Sequence, residues 1–208
     1  LDKPAILKGK PEFKELLPIT KPTLPKFDAL SARYKEVFKS GMITNSKYVK
    51  QFEKTLENYI GVKYSVALSS CTSGLMLIAK SLGLKGEVIT PSFTFSASGH
   101  ALIWNNIKPK FVDVNPKTFN INPDKVNEAI TSKTSGILGV HIFGNPCNIK
   151  ALEEITKDHK IKLIFDAAHA LGSKYKSENI GRFGDAEAFS CSPTKLLVTG
   201  EGGVVTTD

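Results

Sequence analysis

The sequence is poor in the residues that build metal centres, disulfide frameworks and membrane spans. Three cysteines, Cys71, Cys147 and Cys191, and four histidines are scattered through 208 residues without metal-ligand spacing. So sparse and odd a set of thiols fits a reduced, intracellular protein, with the cytoplasm as the expected compartment. No apolar run approaches the roughly 18 residues of a membrane span, so no membrane partner is expected. The N-terminus, Leu1-Asp2-Lys3-Pro4, has no signal-peptide core. No compact basic block with interleaved aromatic residues is present either. The excess of 28 Lys and Arg over 20 Asp and Glu, a net charge of +8, is spread along the whole chain. A solvated lysine-rich surface accounts for it better than a nucleic-acid partner, although it would also attract phosphorylated or nucleotide-linked substrates. Repeats and low-complexity segments are lacking. An initiator Met is missing, and Val204–Asp208 ends in a strand-like run with no closing helix. These ends read as those of a piece of a longer protein.

What is there is ordinary globular material, 41% hydrophobic and 23% charged, enough for one sizeable core. Pro4, Pro11, Pro18, Pro22 and Pro25 exclude a long helix from residues 1–26, which read as an extended arm. Leu30, Tyr34 and Phe38 give Phe27–Lys39 a helical period. After the loop Gly41–Ser46, a second amphipathic helix over Tyr48–Ile60 closes at Gly61. Strands are then predicted at 65–68, 87–90, 110–114, 136–143, 162–165, 186–190 and 204–207. Helices are expected from after Gly74 to about Leu82, before Trp104, from Asn122 to Ile130 and from Asn148 to Lys157. Seven short apolar strands, most separated by helices, imply an α/β fold with a mainly parallel seven-stranded sheet covered on both faces.

In such a sheet chemistry collects just beyond the strand ends. Lys195 lies between a strand end and the cluster Gly200-Glu201-Gly202-Gly203. It is either a Schiff-base nucleophile or a solvated loop lysine. Ser70-Cys71-Thr72-Ser73-Gly74, between a strand and a helix, suits an anion such as phosphate, or is plain helix capping. Asp166 puts a carboxylate at a buried strand end, where it faces a cationic ring nitrogen, caps a turn or pairs with a structural lysine. His169 is a catalyst or a packed histidine. Ser190 binds the same phosphate or satisfies its own turn. Phe95 stacks on a ring or is simply core. A phosphate site, a carboxylate, an aromatic and a lysine together match the needs of pyridoxal phosphate.

Six stretches carry a family resemblance, in this order: Val66–Leu75, Glu87–Phe95, Pro109–Val114, Val140–Pro146, Asp166–Gly172 and Phe189–Gly203. With them the chain resembles the DegT/DnrJ/StrS sugar aminotransferases, fold-type-I pyridoxal-phosphate enzymes, over nearly its whole length. The resemblance implies a three-layer αβα sandwich, with 27–208 as the cofactor-binding large domain. It implies Lys195 as the lysine that bonds the cofactor, Asp166 on the pyridine nitrogen, and Ser190 with the amides of Cys71 and Thr72 on the phosphate. Phe95 falls on the ring-stacking position, and His169 on one near the cofactor that is more often Gln. Two departures stand out. Cys71 replaces a usual Gly and is strained if the turn needs a positive φ, and Gly74 replaces a usual Ala. Similar members are homodimers. In them a C-terminal domain of comparable length supplies substrate contacts and an asparagine that reaches the partner's cofactor. The implied activity is transfer of an amino group from glutamate to a nucleotide-linked keto-sugar of surface polysaccharides or antibiotics. Related sugar dehydratases carry His in place of Lys195, so the lysine argues against that chemistry. A regulatory or binding protein on the same scaffold is the other alternative, favoured by Cys71.

Overall fold

The computed structural model describes residues 3–208, so the first two residues of the expected arm lie outside it. From residue 3 to 26 there is neither strand nor α-helix, only a 3-10 turn at Ala5–Leu7. The density of prolines accounts for this. Two helices follow, α1 (Phe27–Ser40) and α2 (Lys47–Ile60). Gly61, at φ +88°, caps α2 in the left-handed region that a side chain would disfavour.

The alternating part contains β1 (Tyr64–Leu68), α3 (Cys71–Ser81), β2 (Glu87–Pro91), α4 (Ser96–Trp104), β3 (Lys108–Val112) and α5 (Pro123–Ala129). It continues with β4 (Thr134–Val140), α6 (Ile149–His159), β5 (Lys162–Asp166), the short hairpin β6 (Lys174–Tyr175) and β7 (Glu178–Asn179), β8 (Ala186–Ser190) and β9 (Gly203–Thr207). Seven strands form one sheet in the order β1-β9-β8-β5-β4-β2-β3. Only β9 runs antiparallel to its neighbours.

Successive strand residues point to opposite faces, and the two halves of the core follow that alternation. Ile89, Ile137, Leu163, Phe165 and Phe189 pack with Leu56 and Ile60 of α2, Val126 of α5 and Ile149 and Leu152 of α6. Their neighbours Val88, Leu138, Ile164 and Ala188 pack on the other face with Leu75 and Ile78 of α3 and Ala101 and Leu102 of α4. The architecture is therefore a three-layer αβα sandwich, and α1 belongs to neither helical layer because none of its residues is buried.

Four local expectations need correction. Helix α3 begins at Cys71, not after Gly74: Ser70 caps it, accepting from Ser73 N–H at 3.0 Å. The third strand covers 108–112 instead of 110–114, with Pro109 in it. That is tolerated because β3 is an edge strand and needs no second row of donors. Strand β4 stops at Val140, and Ile142–Gly144 form a 3-10 turn in which Phe143 has φ +51°. The hairpin β6–β7 was not foreseen; two residues per strand carry no pattern.

Candidate active site

Strands β1, β2, β4, β5 and β8 share one direction, so their carboxyl ends open on one edge of the sheet. A cavity of about 460 Å³ lies there. Lys195, Asp166, Cys71, Thr72, Phe95, His169 and Ser190 all line it, although 124 positions separate the first of them from the last.

Asp166 ends β5 and is 5% exposed. Its Oδ1 accepts from Ala168 N–H at 3.1 Å, the turn-capping role weighed for it, and its Oδ2 accepts from the Ser98 hydroxyl at 2.7 Å. The thiol of Cys71 points at Oδ1 from 3.9 Å. A structural lysine is not its partner: among the described residues no Lys, Arg or His forms an ion pair with it. A buried carboxylate thus faces the cavity with hydrogen-bond donors and no counter-charge.

Lys195 is held by a turn in which its N–H donates to Ser192 O at 3.0 Å. Half-buried, its Nζ lies 3.0 Å from His169 Nε2, so it is not a freely solvated loop lysine. Crowding by surrounding atoms, and then the charge of Lys195, lowers the pKa of His169 below 6.5, while Asp166 pulls it back up. The imidazole is therefore suited to accept from the ammonium. It packs nearly parallel to Phe143, with ring centres 6.1 Å apart.

The N-terminus of α3 forms the opposite wall. With Ser70 O accepting from Gly74 N–H and Ser70 Oγ from Ser73 N–H, the N–H groups of Cys71 and Thr72 stay directed outward as a helix start requires. Cys71 is the first helical residue and has no positive φ, so the feared strain is absent. Burial, and then the Asp166 carboxylate, pushes its thiol pKa far up, which keeps it protonated and a donor. Gly74 faces the sheet, where an added Cβ would lie 2.9 Å from Val205 Cγ2. Strand β9 passes close by: a Cβ on Gly203 would fall 2.3–2.6 Å from backbone atoms of Ser70 and Cys71, so only glycine fits.

Ser190 ends β8, its hydroxyl 3.3 Å from that of Ser192, which lies 3.5 Å from Thr194 Oγ1. Phe95 is 75% exposed and therefore not core. Sequence reasoning missed Thr94, Ser98, His141, Ser192, Thr194 and Glu201. Ser192 and Thr194 sit beside Lys195 in a hydroxyl-rich turn, which was a usable signal. His141 is fully buried and stacks on Phe165 at 4.6 Å. Its Nδ1 accepts from Cys147 N–H, and Nε2 lies 3.3 Å from Glu187 Oε2 without hydrogen-bond alignment. No sequence pattern marks that pair.

A chain with this sheet and this cavity has well-defined relatives. It is 38% identical over 188 residues to dTDP-4-amino-4,6-dideoxy-D-glucose transaminase from Shigella dysenteriae, covering 90% of this chain and 51% of that one. The crystal structure of DesI in the presence of its TDP-sugar product superimposes with a TM-score of 0.94 at 40% identity, over 98% of this chain and 52% of that chain. A putative sugar aminotransferase from Streptococcus pneumoniae, Spr1654 in its PLP-form, gives a TM-score of 0.87 at 30% identity, over 92% and 53% of the two chains. The chain thus spans about half the length of these relatives. The family profile of the DegT/DnrJ/EryC1/StrS aminotransferases matches residues 28–208, and with that match this fold and these strand-end residues place the chain in that family.

Proposed function

We propose that this chain is the cofactor-binding half of a pyridoxal-phosphate-dependent aminotransferase that moves an amino group from glutamate to a keto group on a nucleotide-linked sugar. In this reading residues 27–208 are the large domain and 1–26 an arm. The protein works as a cytoplasmic homodimer, and its three free, buried thiols fit a reducing compartment. The observation that carries the reading is Asp166, a buried carboxylate without a counter-charge, in the same cavity as a half-buried lysine and a helix N-terminus.

The residues present fit the cofactor. Lys195 would hold its aldehyde end and Asp166 its ring nitrogen. The N–H groups of Cys71 and Thr72, with the Ser190 hydroxyl, would hold its phosphate, and Phe95 would cover the ring face. Bound there, pyridoxal phosphate supplies the electron sink for amino transfer. The chain's own part is acid–base work and exclusion of alternatives. Lys195 Nζ would serve as general base toward the proton on the amino-bearing carbon and then as general acid at the other end of the 1,3-proton shift. His169 Nε2, 3.0 Å from Nζ, would accept a hydrogen bond from it and keep it oriented. Asp166 supplies fixed negative charge where the ring nitrogen must stay protonated. The substrate and donor rest on the family and on the sugar named for the Shigella transaminase. The regulatory alternative loses its motive, since Cys71 is unstrained.

Adding pyridoxal phosphate to the folded chain should give an absorbance band distinct from that of the free cofactor. Borohydride reduction and peptide mapping should place the label on Lys195, and Lys195→Ala or Lys195→Arg should abolish it. A label elsewhere, or none on folded protein, would sink the reading.

A further inference from the structure

Resting on that reading of the pocket, the geometry points to Ser98 as a positioning residue that fixes the orientation of the Asp166 carboxylate and couples it to the loop carrying Phe95. Ser98 sits in the first turn of α4 and is completely buried. Its hydroxyl donates to Asp166 Oδ2 at 2.7 Å, a short bond of the charge-assisted kind. A hydroxyl has one proton, and an ionised carboxylate only accepts. The proton of Ser98 is therefore committed to Asp166. The Thr94 hydroxyl, 2.8 Å from Ser98 Oγ, must then be the donor in the next bond. The chain of donors runs in one direction, from Thr94 to Ser98 to Asp166.

The ends of this chain lie in different elements. Thr94 and Phe95 belong to the loop after β2, and Ser98 N–H donates to Phe95 O at 3.1 Å. Asp166 closes β5, two strands away across the sheet. The carboxylate is thus held from two sides: Ala168 N–H on Oδ1 from its own turn, and Ser98 on Oδ2 from α4. Ser98 is the close anchor from outside that turn: the backbone donor is carried by the residue's own loop, and the Cys71 thiol, the other donor from a separate element, stands 3.9 Å from Oδ1. A ring nitrogen meeting Asp166 would find the carboxylate plane set by Ser98, and Phe95 set by the same turn.

The test uses the intact chain and three variants, Ser98→Ala, Ser98→Thr and Thr94→Val, with circular dichroism to confirm folding. Two quantities are read. One is the ¹³C resonance of the Asp166 carboxyl group in cofactor-free protein at neutral pH. The other is pyridoxal phosphate affinity by absorbance titration. Ser98→Ala should move the resonance and weaken affinity by about tenfold or more, the scale of one lost bond to a charged group. Thr94→Val should move both less, and Ser98→Thr should restore both. An unmoved resonance in folded Ser98→Ala, or a moved resonance with unchanged affinity, overturns the role of Ser98. If the unmodified chain takes up no pyridoxal phosphate, it is the pocket's reading that fails, and the carboxyl resonance alone decides whether Ser98 orients Asp166.

Discussion

At the scale of single residues the pocket is a set of groups made to share few protons. Lys195 Nζ and His169 Nε2 are 3.0 Å apart, and both cannot carry charge there at low cost. His169 has a pKa below its ordinary 6.5, first because of desolvation and then because of Lys195. The linkage has a definite sign. Above about pH 6.5 neither folded nor unfolded chain protonates this histidine, and its contribution to stability is fully present. As pH falls from 6.5 to the lowered native value the unfolded chain takes the proton first, so stability is lost across that window and levels off beneath it. Urea midpoints of the parent chain and His169→Gln, compared between pH 8 and 5, should show the parent losing its margin over the variant as pH drops. A margin that grows toward acid would mean that His169 is stabilised as a cation, and the contact with Lys195 would need another explanation.

At the scale of elements, the site depends on where α3 starts. Ser70 caps the helix through Ser73 N–H, and Ser73 Oγ returns a bond to Ser70 N–H at 3.2 Å. Ser70→Ala should cost about 1 kcal/mol, a fall of about 2–4 °C in melting temperature for a domain of this size. Ser70→Gly should cost only a few tenths of that. Equal losses for the two variants in thermal melts would show that the capping oxygen is not what Ser70 contributes. The same element shows the limit of sequence reading. Serines three apart lack the Glu or Gln that usually marks a capping box, so the run read as loop up to Gly74. Short apolar runs separated by helical stretches made all seven sheet strands legible, and the strand ends in turn brought Asp166, Ser190 and Lys195 to one edge. Pro109 hid the start of β3 because its tolerance depends on an edge position that only the assembled sheet defines. Ser98 was invisible for a similar reason: its partner is 68 positions away, and nothing local distinguishes a buried hydroxyl that donates to a carboxylate from one that merely fills a helix turn.

At the scale of the whole molecule, much apolar surface has no cover. Ile6, Leu16 and Ile19 of the arm are more than nine-tenths exposed, and Phe27, Phe38, Ile43 and Trp104 at least seven-tenths. Helix α1 has 14 residues and buries none of them. A helix that short is marginal in water on its own, and its ties to α2, through Glu36 with Lys47 and with Tyr48 at 2.6 Å, are exposed. Its apolar stripe of Leu30, Tyr34 and Phe38 therefore needs a second surface, and the proposed homodimer supplies one. Light scattering should find the chain dimeric or larger at roughly tens of micromolar, where a standard-size interface holds. Phe38→Glu should move it toward monomer and speed hydrogen exchange in α1. The pocket opens at a sheet edge with Phe95 three-quarters exposed, so a partner chain that closes it would link assembly to ligand binding. The affinity for pyridoxal phosphate should then rise with protein concentration, and fall in Phe38→Glu although Phe38 is not among the cavity-lining residues. A clean monomer at those concentrations would place the dimer contacts outside these 208 residues. A dimer whose cofactor affinity stays flat across the concentration series would show that each pocket is complete within one chain.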